Sequence, residues 1–165
     1  MEKLWSPWRS AYIDSFKSEK TENNCIFCNA INEDTASDNS LLIKKFEHTL
    51  LMLNLYPYNS GHLLIVPKRH TSDFLTLTQE ELMEVNVITK LSIAALKQIM
   101  NPQGFNYGAN LGTAGGAGIA DHIHFHIVPR WNGDSNFMPV IGEVKVISQD
   151  LLDTKKKLIK AFAKL

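Results

Sequence analysis

Three of the chain's six histidines fall within five residues, His122-Ile123-His124-Phe125-His126, each separated from the next by one apolar residue. Alternation is the period of a β-strand. On a strand the three imidazoles share one face at intervals of about 6.6–6.8 Å, while Ile123, Phe125 and Ile127 enter the opposite layer. A neutral imidazole can attack a phosphorus centre and carry the group as a phospho-histidine, dividing one displacement into two steps with water or phosphate as the final acceptor. Protonated histidine or backbone donors nearby would stabilise the negative oxygens. His124, at the centre, is the candidate nucleophile, and the competing role for it is a structural hydrogen bond.

Other residue types around this segment suit the same chemistry. Glycines at 108, 112, 115, 116 and 118 precede it. Amides of such a loop can surround phosphate oxygens, but neither a P-loop lysine pattern nor Rossmann spacing is present, so a tight structural turn fits equally well. The two cysteines of the chain stand as Cys25-Ile26-Phe27-Cys28. Together with His70 and His122 they can form a closed, structural zinc site of two sulfurs and two nitrogens; a reduced, metal-free thiol pair with redox chemistry is the alternative. Asn54 and His62 flank a turn and Asn110 precedes the glycine-rich loop, which allows all three to enter one pocket. An asparagine there can read a ribose hydroxyl or simply cap a turn. His48 reads as structural or solvent-facing, and Lys68, Arg69 and Arg130 as charged groups at strand ends.

The elements that must position these residues follow from pattern. Leu41–Ile43 and Thr49–Asn54 read as adjacent strands, and His62–Pro67 as a third ending at proline. Thr78-Gln79-Glu80-Glu81 is a capping box that starts a helix. Leu82, Val85, Leu91, Ala95 and Ile99 approximate its apolar face, and Asn101-Pro102 stops it after about Met100. Phe105–Asn110 and His122–Val128 read as strands, Gly142–Ile147 as a short edge strand, and Asp150–Leu165 as a C-terminal helix. This order predicts an α+β fold, an antiparallel sheet with a long helix and a C-terminal helix, in a single domain over residues 1–165. Residues 1–24, with Trp5, Pro7, Trp8 and Tyr12 among charges, read as an irregular docking arm.

Composition sets the outer bounds. The chain has 165 residues, 17 Lys plus Arg against 17 Asp plus Glu, and 44% hydrophobic residues, the range of one globular domain. Two cysteines exclude a disulfide-stapled mini-protein, and charge balance excludes a generally basic nucleic-acid glove. With neither a secretory h-region nor an apolar run of membrane-spanning length, a soluble cytoplasmic protein is expected.

His122-Ile123-His124-Phe125-His126-Ile127-Val128 resembles the histidine-triad family of nucleotide hydrolases and transferases. The likeness extends over residues 20–131, through Cys25/Cys28, Asn54, Gly61-His62 and Pro67-Lys68-Arg69-His70. It implies that His124 becomes covalently attached to a nucleoside monophosphate, that His126 contacts the reacting phosphate and that His62 supports them. It also implies zinc held by Cys25, Cys28, His70 and His122, Asn54 facing the ribose and Asn110 near the phosphate. With the loop glycines Gly116 and Gly118, these are the expected substrate contacts. The family fold is a compact antiparallel sheet with a long helix, commonly a homodimer.

The flanking segments Leu4–Arg9, Gly115–Ile119 and Arg130–Phe137 resemble bacterial diadenosine-tetraphosphate phosphorylase-like members. Ala117-Gly118 stands where many nucleoside phosphoramidases and dinucleoside-triphosphate hydrolases carry Gln-Ser or Gln-Thr, which weakens those activities and removes one side-chain phosphate contact. The resemblance implies nucleotidyl transfer from a dinucleoside polyphosphate to inorganic phosphate, with hydrolysis as the runner-up and a non-catalytic nucleotide-binding scaffold as the alternative of a different class. Specific nucleic-acid and membrane partners are not expected.

Overall fold

The computed structural model describes residues 25–134, 147 and 149–165. The expected arm over residues 1–24 lies outside them, and of the edge strand expected over Gly142–Ile147 only Ile147 is described. The described elements are α1 (Ile26–Ala30), β1 (Leu42–Lys45), β2 (Thr49–Leu53), β3 (Leu63–Pro67), a 3-10 turn at Phe74–Thr76, α2 (Gln79–Met100), β4 (Gly104–Ala109), β5 (Phe125–Arg130) and α3 (Leu151–Phe162). The strands form one antiparallel sheet in the order β1-β2-β3-β5-β4. The fold is therefore α+β, as the pattern predicted.

Strand alternation divides the core between the two faces of the sheet. Leu51, Leu53, Leu63, Ile65, Phe125 and Ile127 join α2 and α3 in the larger cluster. Leu50, Met52, Leu64 and Val66 point the other way and pack with Phe27 and Ala30 of α1. α1 with its following loop and Ile119 from the loop after β4 pack against this second face, where a pocket opens. The capping box forms as expected: the Thr78 hydroxyl accepts from the Glu81 amide, and the Glu81 carboxylate accepts from the Thr78 amide. Buried Ile88, Ser92 and Leu96 complete an α2 face broader than the sequence marked out. None of the described helices is long and apolar enough to cross a membrane.

Several strand limits differ from expectation. β1 runs on through exposed Lys44 and Lys45, after an irregularity at Leu42/Lys44. β3 starts at Leu63 rather than His62, and β4 is shifted by one residue to Gly104–Ala109. The largest shift is β5, expected over His122–Val128 and found over Phe125–Arg130. Its ladder with β3 begins only at Ile65↔Phe125. Upstream, the carbonyl of Pro67 is taken by the His122 ring and the Ile123 amide donates to Thr71, so side-chain and loop bonds replace the ladder. Pro129 sits within β5, paired to Phe105 of β4, beyond the last β3 partner. A missing N–H on that side breaks no ladder bond, which is why proline is tolerated there. α3 ends at Phe162 rather than at the terminus.

The loop from α1 to β1 is fastened from a distance. Lys155 of α3 is buried, and its ammonium donates to the carbonyls of Ser37 and Ser40, each at 2.7 Å. Replacing Lys155 with methionine preserves most of the stem's volume and removes the donors from two carbonyls. Lys155→Met is expected to lower unfolding free energy by about 1–3 kcal/mol, read as a drop in the urea midpoint; an unchanged midpoint would contradict this anchoring role.

Candidate functional site

The histidine segment serves two neighbouring groups of side chains. Cys25 and Cys28 are three residues apart at the start of α1, a spacing that puts both thiols on one helical side. His70 follows the exit of β3, and His122 lies three residues ahead of β5. Their ligand atoms all fall within 4.8 Å of one another. The edges are 3.2 Å for Cys25 Sγ–His122 Nδ1, 3.3 Å for Cys28 Sγ–His70 Nδ1, 3.6 Å for Cys28 Sγ–His122 Nδ1 and 3.2 Å for His70 Nδ1–His122 Nδ1. A tetrahedral ion with ordinary zinc bond lengths requires nitrogen–nitrogen and nitrogen–sulfur edges of about 3.3 and about 3.6 Å. The cluster can hold such a metal ion.

Hydrogen bonding prepares His122 for that role. Its Nε2–H donates to the Pro67 carbonyl at 2.8 Å, leaving the Nδ1 lone pair toward the cysteines. Burial, opposed by that carbonyl, pushes the His122 pKa down to about 4, so the ring is neutral near pH 7. Arg69, next to His70, makes two bonds to the buried Glu81 carboxylate at 3.0 and 2.7 Å and ties this segment to the first turn of α2.

The second group lines a cavity of about 300 Å³ on the α1 side of the sheet. His124 and His126 are both nearly buried, with ring centroids 4.9 Å apart, and both line this cavity. His124 Nδ1–H donates to the His122 carbonyl at 2.9 Å, which leaves Nε2 with the lone pair. Burial holds the His124 pKa below the ordinary imidazole value, partly offset by that bond. His124 is thus a neutral imidazole with its lone pair on Nε2.

A chain of assigned protons extends from the turn after β2. The Tyr58 amide donates to His62 Nδ1 at 3.0 Å, so His62 carries its proton on Nε2 and donates to His126 Nδ1 at 2.9 Å. His126 therefore carries its own proton on Nε2, away from His62. The Tyr58 ring covers both histidines, with centroids at 4.7 and 5.7 Å. His62 itself is fully buried and does not line the cavity. Its position depends on Gly61, at φ +74°, where an added Cβ would lie 2.6 Å from Met100 Sδ.

Of the expected substrate contacts, Asn54, Asn110, Gly118 and His126 line the cavity. Asn54 also caps its turn, its Oδ1 accepting from the Tyr56 amide at 3.0 Å. Gly116 does not line the cavity. Its amide donates to Thr113, its carbonyl accepts from Asn110 Nδ2, and its φ of +89° suits glycine, so it supports Asn110 from behind. Phe27 was not singled out in the sequence, yet its ring stands 4.9 Å from that of His124 and 5.4 Å from that of His122. Its place between the two cysteines was the available signal.

A model of the HIT domain matches residues 35–133, and the chain belongs to this histidine-triad family. The cysteine pair lies ahead of the matched residues. The chain is 37% identical to a Mycobacterium tuberculosis protein named AP-4-A phosphorylase, over 99% of this chain and 86% of that protein. It is 35% identical to an uncharacterised HIT-like protein of Methanocaldococcus jannaschii, over 76% of this chain and 93% of that one. Among solved structures it is similar to a Zn-bound histidine triad family protein from Mycobacterium smegmatis, with a TM-score of 0.68 and 26% identity, covering 86% and 94% of the two chains.

The thiols of the cluster give a direct test of metal binding. Burial first, then the neighbouring Cys25, pushes the Cys28 pKa up to about 11, so near neutral pH this group is a thiol and must lose its proton to ligate. Adding zinc to metal-free protein in weak buffer is expected to release at least about one proton per ion bound, measured with a pH indicator, and Cys28→Ala is expected to reduce both release and affinity. Binding at this cluster without proton release would contradict thiolate ligation.

Proposed function

We propose that this protein is a dinucleoside-polyphosphate phosphorylase that converts diadenosine tetraphosphate and inorganic phosphate to ATP and ADP. The observation that carries this reading is the defined Nε2 lone pair of His124 in the cavity, beside the Nε2–H of His126. The near-full-length similarity to a protein named AP-4-A phosphorylase supports the substrate class.

In the first step His124 Nε2 attacks the α-phosphorus of one adenylyl group. A nitrogen–phosphorus bond forms, the bond from phosphorus to the bridging oxygen breaks, and ATP departs with that oxygen. His126, held by His62, donates a hydrogen bond to a phosphoryl oxygen as charge develops. In the second step an oxygen of inorganic phosphate attacks the adenylylated His124, forming ADP and restoring the imidazole. The depressed pKa of His124 favours the neutral attacking form, and its bond to the His122 carbonyl stabilises the positive charge that the ring acquires on phosphorylation. Asn54 serves the ribose, while Asn110 and the Gly118 segment border the phosphates.

Cys25, Cys28, His70 and His122 are proposed to hold zinc, which would supply a structural cross-link and no reacting group. That link would fix Phe27 against His124 and the His122 carbonyl beneath it.

Diadenosine tetraphosphate with radiolabelled phosphate is expected to yield labelled ADP and unlabelled ATP. Phosphate-independent release of unlabelled AMP would instead assign hydrolysis. His124→Ala is expected to reduce turnover on the order of 10³-fold or more and to abolish the nucleotide adduct in mass spectrometry, with circular dichroism unchanged. Retained turnover with an adduct elsewhere would reject His124 as the nucleophile.

A further inference from the structure

The cavity has polar groups at two separated ends. At β5 lie His124 and His126, with Asn110 nearby; at the far end, beside the β1 edge, lie Glu33 and Asn39 from the loop between α1 and β1. With the strand order β1-β2-β3-β5, three strand spacings separate the ends, about 14 Å. Apolar Ile26, Phe27, Leu41, Met52 and Leu53 also line the cavity. A carboxylate at the far end repels phosphate, so that end does not suit a second phosphate group, whereas apolar walls with a polar acceptor suit a heterocyclic base.

Glu33 is held in place by buried groups. The Ser40 hydroxyl, itself buried, accepts from the Leu42 amide at 3.0 Å and donates to Glu33 Oε2. The Ser40 carbonyl is in turn fixed by buried Lys155 of α3. Among the described residues Glu33 Oε1 receives no hydrogen bond and remains available to a ligand N–H. An ionised carboxylate has acceptors only, so the group opposite must be a donor.

We propose that Glu33 determines base specificity, selecting a purine with a 6-amino group over one with a 6-oxo group. This deepens the nucleotidyl-transfer reading above and rests on it for placing the phosphate at His124. The 6-amino group of adenine donates to Glu33, while the amide of Asn39, at the same end, can donate to a ring nitrogen. Hypoxanthine differs by presenting an oxygen at position 6, and acceptor would face acceptor. A site built around a hydrogen bond rejects the analogue that leaves its polar group unmatched more strongly than an apolar wall rejects a change of size.

Calorimetric titration of the full chain with AMP and with IMP tests the assignment without any substitution. AMP is expected to bind about tenfold or more tightly than IMP. Glu33→Gln, whose amide can donate to a 6-oxo group, is expected to bring the two within about threefold. Glu33→Ala is expected to weaken AMP while leaving IMP unchanged or improved. Equal affinities in the unmodified protein, or the original preference persisting in both variants, would overturn the proposal.

The same protein preparation separates this inference from the reading beneath it. Turnover of diadenosine tetraphosphate with equal AMP and IMP affinities would retain the transferase and remove the role of Glu33. A strong AMP preference without turnover or adduct would do the reverse. No binding of either nucleotide would contradict both.

Discussion

The peptide carbonyl of His122 connects the two functional groups of this fold. It accepts the Nδ1 proton of His124 and thereby leaves the lone pair on Nε2, the atom proposed to attack. The ring of the same residue belongs to the cysteine–histidine cluster and donates to the Pro67 carbonyl at the end of β3. One residue therefore sets a tautomer with its backbone and a ligand geometry with its side chain. Moving His122 would disturb both, because its carbonyl and its ring belong to one residue. Phe27 adds a second link, from between the cysteines to the face of His124.

The sheet makes this arrangement affordable in burial terms. Ile123, Phe125 and Ile127 anchor the segment in the core beneath α2 and α3, while His124 and His126 emerge on the face that α1 leaves partly open. The buried imidazoles of His124 and His62 are tolerated because their protons have acceptors, the His122 carbonyl and His126 Nδ1, with the Tyr58 amide completing His62. The resulting pocket combines apolar walls with polar groups, among them His124, His126, Asn54, Asn110, Glu33 and Asn39. In the proposed reaction neutral imidazoles and oriented donors would meet phosphate locally, where the dielectric is low, in a chain of formal net charge +0.

Much of this was legible in sequence where a local rule and a tertiary demand coincide. The period-two histidines identified the polar face, and Thr78 with Glu81 marked the start of α2 to the residue. The β5 limits were less legible, since His122 and His124 lie ahead of the ladder, where the His122 ring meets the Pro67 carbonyl and the Ile123 amide donates to the Thr71 carbonyl, bonds that alternation does not encode. β5 runs on through Pro129, whose position beyond the β3 pairing makes its missing donor harmless. α1 has only five residues, too few for a helical period, so Phe27 went unmarked. No local pattern marks Glu33, because its supports, Ser40 and Lys155, come together only through α3 packing back on the sheet. Gly116 shows the converse: a glycine in the right loop, with its amide committed to Thr113.

A fixed pattern of protons is what would make His124 Nε2 the proposed nucleophile. Long-range proton–nitrogen NMR on protein carrying nitrogen-labelled histidine reads that pattern directly near neutral pH. The account predicts a neutral His124 protonated on Nδ1, with His62 and His126 protonated on Nε2. A His124 ring protonated on Nε2, or cationic at that pH, would contradict it.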